Sequence, residues 1–125
     1  MLYSQVMQTV TNRVISIPHG LETAIVPLAP WDTYRRHDVV ELCFHSSGPV
    51  AYDIGGRREI VAENETVMFW GELPHRIIQA PEGSYHYWIS VPLRMFIRWG
   101  LNGDFIQRII NGELLREVDP RQRLL

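Results

Sequence analysis

The sequence predicts an all-β domain, a jelly-roll barrel followed by two short C-terminal α-helices. Two observations carry that prediction. Up to Pro92, Gly and Pro cut the chain into short strand-like runs, spaced as in antiparallel β-proteins. After Pro92 the apolar residues recur at helical spacing instead. A length of 125 residues fits one domain, 1–125, because domains typically hold roughly 100–150 residues.

Strands are expected at Arg13–Ile17, Thr23–Leu28, Val39–His45, Val50–Ile54, Glu59–Ala62, Thr66–Trp70, Arg76–Gln79 and Tyr85–Val91. The clearest hairpin is Val50–Ile60, where Gly55-Gly56 supplies the positive φ angles of a tight primed turn. The barrel therefore occupies 13–92. Residues 1–12, polar and unpatterned, read as an N-terminal arm. Residues 93–118 read as helical. Leu93, Phe96, Ile97 and Leu101 open the pattern, and Asp104 can cap a second helix. Phe105, Ile106, Ile109, Ile110 and Leu114 then form an apolar stripe opposite Gln107, Arg108 and Asn111, with the end of the helix near Asn111-Gly112. The stripe either folds back on the barrel or meets a second subunit, and spacing does not separate these readings.

Composition narrows the function. Hydrophobic residues at 46% and charged residues at 21% exclude disorder along most of the length. Twelve basic against fourteen acidic residues, net charge −2, argue against nucleic-acid binding by this chain, which needs clustered cations. Every basic residue is Arg, which excludes a P-loop and Schiff-base lysine chemistry. Arg35-Arg36 and Arg57-Arg58 read as solvated turn charges. The single Cys43 cannot form an internal disulfide and reads as a packing residue. The start lacks a signal-peptide pattern, and no run approaches the ~18 apolar residues of a membrane span, so a cytoplasmic protein is expected.

Positions 37, 39, 41, 43 and 45 share parity, so one strand face carries His37, Val39, Glu41, Cys43 and His45. Two histidines and a carboxylate are costly to bury unless that face lines a wet or liganded cavity. Parity also groups His86, Trp88 and Ser90 opposite Tyr85, Tyr87 and Ile89. Aromatic faces suit the C–H surface of a sugar, and Trp88, Tyr52, Tyr87 and Trp70 are candidates. Glu41, His37, His45, His75 and His86 are candidates for its hydroxyls.

The spacing H-x3-E-x6-G of His37, Glu41 and Gly48 resembles the first cupin motif, with Arg35 in place of its first His. His75 closes a counterpart of the second motif, in which Asn64, Trp70, Glu72 and Gln79 replace the usual Gly, Pro, Gly and Asn. A narrower resemblance rests on R-R-H-D-V-V-E-L (35–42), Y-D-I-G-G-R-R (52–58) and V-M-F-W-G-E-L-P-H (67–75). These runs look like the N-terminal effector-binding half of AraC-type transcription regulators, with 67–114 most similar to the melibiose-responsive members. The Y-H-Y-W run at 85–88 is similar to a strand whose His and Trp touch sugar in the arabinose-responsive members, which implies His86 and Trp88 as ligand contacts. His45 matches a sugar-binding position there.

The resemblance implies a cupin-like barrel that binds a small-molecule effector, a sugar above all, and catalyses nothing. It implies a homodimer and a DNA-binding helix-turn-helix domain absent from these 125 residues, so DNA would be reached only through that other domain. No cofactor is expected. The alternative is a metal-dependent cupin enzyme, an oxygenase or isomerase, in which His37, Glu41 and His75 hold a divalent metal. Against it, the guanidinium of Arg35 would repel a cation if it pointed inward.

Overall fold

The computed structural model describes residues 13–17, 20–63 and 65–118. The proposed N-terminal arm, the motif position Asn64 and the residues after 118 lie outside the described residues. Among the described residues nine strands and two helices follow in chain order: β1 Arg13–Ile17, β2 Leu21–Pro27, β3 Val39–His45, β4 Val50–Ile54, β5 Arg57–Val61, β6 Glu65–Trp70, β7 His75–Gln79, β8 Tyr85–Pro92, α1 Leu93–Arg98, α2 Gly103–Ile110 and β9 Leu115–Val118. All pairings are antiparallel. One sheet runs β1-β2-β8-β3-β6-β9 and the other β5-β4-β7. The fold is mainly β, a cupin-like jelly roll with two short helices, as the sequence predicts.

Alternation explains most of the packing. In β6 the buried residues Glu65, Val67 and Phe69 alternate with partly exposed Thr66, Met68 and Trp70. Val67 and Phe69 join Leu28, Cys43, Val50, Tyr52, Ile54, Val61 and Ile77 in the core between the sheets. The β4–β5 turn uses Gly55 at φ 55° and Gly56 at φ 81°, a backbone that side chains with a Cβ resist. Gly48 is held for a different reason. A Cβ there would stand 2.5 Å from the Glu63 nitrogen and 3.0 Å from the Ala62 carbonyl carbon, both backbone atoms that cannot swing away. Gly48→Ala is expected to cost about 1–3 kcal/mol, the usual range for overpacking, measured as a lowered urea midpoint.

The helices pack back on the barrel, one of the two readings of the stripe. Phe96 (1% exposed) and Ile109 (0%) are buried against Val40 and Val91, on the outer face of the large sheet, with Met68, Trp70, Phe105 and Ile106 around them. The stripe folds back on the barrel. Asn102, two residues earlier than expected, caps α2 by accepting from the Asp104 N–H at 2.8 Å. Gly112, at φ 89°, follows its end. The helical stretch is shorter than 93–118. Residues 115–118 form β9 on the edge of β6, with register Met68↔Leu115, and Leu114 packs on the inter-sheet core instead of on the helix. Arg116 ties β9 to the small sheet by donating to the Ile60 carbonyl at 2.7 Å and pairing with Glu59 and Glu65 at 3.0 Å. Among the described residues no helix is long and apolar enough to cross a membrane.

Candidate ligand-binding site

A cavity of about 460 Å³ opens on the inner face of the large sheet. That falls within the roughly 300–1,000 Å³ usual for small-molecule sites. β3 contributes Val39, Glu41 and Cys43, and β8 contributes His86, Trp88 and Ser90, so both parity assignments hold. Phe69 of β6, Tyr52 of β4 and His75 of β7 complete the floor and far wall. Trp31, Arg35 and His37 form the rim. They sit on a non-repetitive segment pinned by backbone bonds from Trp31 to Ile77 (2.9 Å), between Arg35 and His75 in both directions (2.8 and 3.0 Å), and from His37 to Gly71 (2.9 Å).

Glu41 is 6% exposed and satisfied on both oxygens. Ser90 Oγ–H donates to Oε2 at 3.2 Å, and His37 Nε2 lies 2.6 Å from Oε1. This carboxylate contact raises the pKa of His37 above the ordinary 6.5. His75 donates its Nδ1–H to the Leu73 carbonyl at 2.7 Å, which leaves Nε2 as the unprotonated nitrogen. Burial lowers its pKa. His86 is 4% exposed and neither ring nitrogen has a partner among the described residues. Burial pushes its pKa down to about 3, so the ring is neutral at pH 7.

Three sequence candidates lie elsewhere. His45 is 1% exposed but does not line the cavity. It stands behind Tyr52, sharing a 2.7 Å hydrogen bond with that hydroxyl, and burial lowers its pKa to about 4. Trp70 points outward beneath the helices and donates its indole N–H to Asp38 at 3.0 Å. Tyr87 points outward beside Phe44, ring centroids 6.0 Å apart. Cys43 is the buried packing residue expected, its thiol pKa pushed up by burial. Trp31 and Arg35 were not foreseen as lining residues. Arg35 is no free turn charge: its guanidinium stacks 3.8 Å above the centroid of Trp31. Arg36 pairs with Glu72 at 2.7 Å, and Arg57 donates to the Gly112 carbonyl at 2.8 Å. The one available signal was Arg35 standing in a motif position usually held by a cavity-facing His.

The metal alternative has its donor set. Ligating atoms of His37, Glu41 and His75 lie within 4.8 Å of one another, and the His75 tautomer suits coordination. Two histidines and a carboxylate fit a divalent ion in kind. Donors about 2.1 Å from one ion stand no more than ~4.2 Å apart, so the widest contact would have to close. The His37–Glu41 hydrogen bond would have to open, and the Arg35 charge on the rim opposes a cation.

A jelly-roll barrel with a partly enclosed cavity on the inner face of its large sheet, aromatic on some sides and polar on others, has the form of a cupin-like small-molecule barrel. No protein-family model matches the chain. In sequence it is similar to the melibiose operon regulatory protein of Escherichia coli strain K12, 22% identical over 98 residues, and it is a cupin-like domain resembling the AraC-type regulators. That match covers 78% of this chain and 31% of the regulator, so the chain spans about a third of its length. In shape it is similar to protein NMB1881 of Neisseria meningitidis, TM-score 0.53 at 18% identity, covering 73% of this chain and 97% of that one. ToxT of Vibrio cholerae O395, solved with (E)-4-(8-methylnaphthalen-1-yl)but-3-enoic acid, gives TM-score 0.53 at 10% identity, covering 83% and 44%. A mutant of Bacillus subtilis oxalate decarboxylase OxdC gives 0.50 at 18%, covering 78% and 34%. These structural likenesses show the fold.

Proposed function

We propose that this chain is the effector-sensing barrel of an AraC-type transcription regulator, that its effector is a sugar, and that it catalyses no reaction. The observation that carries this is His86, a buried ring with two unpartnered nitrogens on the wall of the cavity beside Trp88. A buried polar group without a partner costs about 1–3 kcal/mol, and a hydroxylated ligand removes that cost. Trp88 offers an apolar face for the ring of the sugar. The likeness to the melibiose operon regulatory protein supports the regulator assignment, and ToxT, solved with a small organic acid bound, supports an effector role for such a fold. On this reading the protein works in the cytoplasm as a homodimer and reaches DNA through another domain. Binding acts by population shift, favouring one arrangement of barrel and partners over another.

The His37, Glu41 and His75 cluster favours one second reading, a metal-dependent cupin enzyme of the oxygenase or isomerase type. In it those three side chains would hold a divalent ion that polarises a substrate oxygen. A thermal-shift screen against mono- and disaccharides, with divalent metals and EDTA in parallel, separates the two. A ligand at a hundredfold excess over its Kd adds about 2.7 kcal/mol. A raised Tm with one sugar family and indifference to EDTA is the expected result. A fall in Tm with EDTA and silence from every sugar overturns it in favour of the enzyme. His86→Phe keeps an aromatic ring of similar shape and removes the unpartnered nitrogens. It is expected to abolish the sugar-induced shift while leaving the ligand-free Tm unchanged or raised.

A further inference from the structure

We infer that the molecule taken by this cavity carries a carboxylate, and that Arg35 binds it. The inference rests on the cavity being the effector site proposed above, and adds a charge to the ligand. Among the charged groups facing the cavity, Arg35 stands apart. Glu41 is in contact with His37 and hydrogen-bonded on both oxygens. Glu22, also on the rim, has an interaction of its own. The Arg35 guanidinium donates to no side chain or carbonyl among the described residues, although Arg36 beside it is paired with Glu72.

Its position is fixed from two directions. The backbone is bonded both ways to His75, and the planar head lies on Trp31. Stacking on an aromatic face leaves the edge of a guanidinium, where its N–H groups point, free for an acceptor in the same plane. Its charge also reaches into the cavity, where it disfavours protonation of His37, His75 and His86. A preorganised fork over an aromatic and hydroxyl-ready floor matches a planar carboxylate on a polyol, a sugar acid, better than a neutral sugar. Arg35 is the one Arg or Lys that lines the cavity among the described residues, and a single guanidinium fork matches the one charge of a carboxylate better than the nearly two of a phosphate.

Matched pairs differing only at C6 test this by calorimetry on the 125-residue chain: D-glucuronate against D-glucose, and D-galacturonate against D-galactose, with D-glucose 6-phosphate as a third arm. One acid is expected to bind about tenfold tighter than its neutral partner, the scale of one charge-assisted pair at a part-exposed site. In Arg35→Gln that preference should shrink to about twofold or less, and in Arg35→Lys, which keeps the charge and loses the fork, it should fall between. Circular dichroism confirms that each variant folds. Equal binding of acid and neutral sugar overturns the carboxylate assignment and leaves the sugar sensor standing. Tighter binding of the 6-phosphate overturns carboxylate in favour of phosphate. Silence from every acid and every neutral sugar overturns both this inference and the sugar reading beneath it.

Discussion

Phe96→Ala should lower the stability of the folded chain by about 3–5 kcal/mol, the range for deleting a buried aromatic ring from a packed core. Phe96 is sealed between Val40 and Val91 of the large sheet and Ile109 of α2. Its ring also lies 6.1 Å from that of Phe105 and 5.9 Å from Trp99. Removing it opens a cavity that two short helices cannot collapse around without losing their own contacts. The check is urea unfolding, in which the midpoint should fall while the slope stays constant. Ile97, the next residue of α1 and 45% exposed, is the internal control. Ile97→Ala should stay within about 0.5 kcal/mol. If Phe96→Ala behaved like the control, the helices would not belong to the barrel's structural core.

Acidification should be at least as damaging. His45 and His86 have folded-state pKa values of about 4 and about 3, both depressed by burial from 6.5. The unfolded chain therefore binds more protons than the folded chain between 6.5 and those values, and stability rises with pH across that window. The contribution is complete above pH 6.5 and is lost as the pH falls through about 4 for His45 and about 3 for His86. With 1.36 kcal/mol per pH unit and per group, pH 4.5 should cost on the order of 5 kcal/mol relative to pH 7, comparable to the whole stability of a marginal domain. Urea midpoints at the two pH values measure it. His86→Phe should recover about half of the loss, because one of the two proton acceptors is gone. A flat profile from pH 7 to 4.5 would mean that neither ring is buried in neutral form.

The inward faces of β3 and β8 were legible because parity in a strand is local: knowing that Glu41 points in fixes Val39 and Cys43. Parity gives direction and not depth, which is why His45 points inward yet ends behind Tyr52 instead of in the cavity. Tyr87 follows from the same rule, since choosing the His86 face as inward places Tyr87 outside. The rim was not legible. Trp31 and Arg35 reach the cavity because backbone bonds to Ile77 and His75 hold their segment across the mouth, and those partners lie about forty residues away. β9 was missed for a related reason. Leu114 falls in helical register with Ile110, and only the long-range pairing of Leu115 with Met68 turns the following residues into a strand.

Strand β3 has apolar demands on both faces. Val40 lies under the helices while Glu41 faces the cavity, and β8 repeats the arrangement with Val91 and Ser90 directly alongside. A one-residue slip of β3 would drive the carboxylate of Glu41 in among Phe96 and Ile109, away from Ser90, and would turn Val40 toward His75. Each face penalises the same error independently, so mispaired forms of this sheet lie far above the native one. β5, exposed along most of its length, has no such double check. Errors in strand pairing during folding should therefore gather in the small sheet, leaving the wall that carries Glu41, His86 and Trp88 the last part of the barrel to be built wrongly.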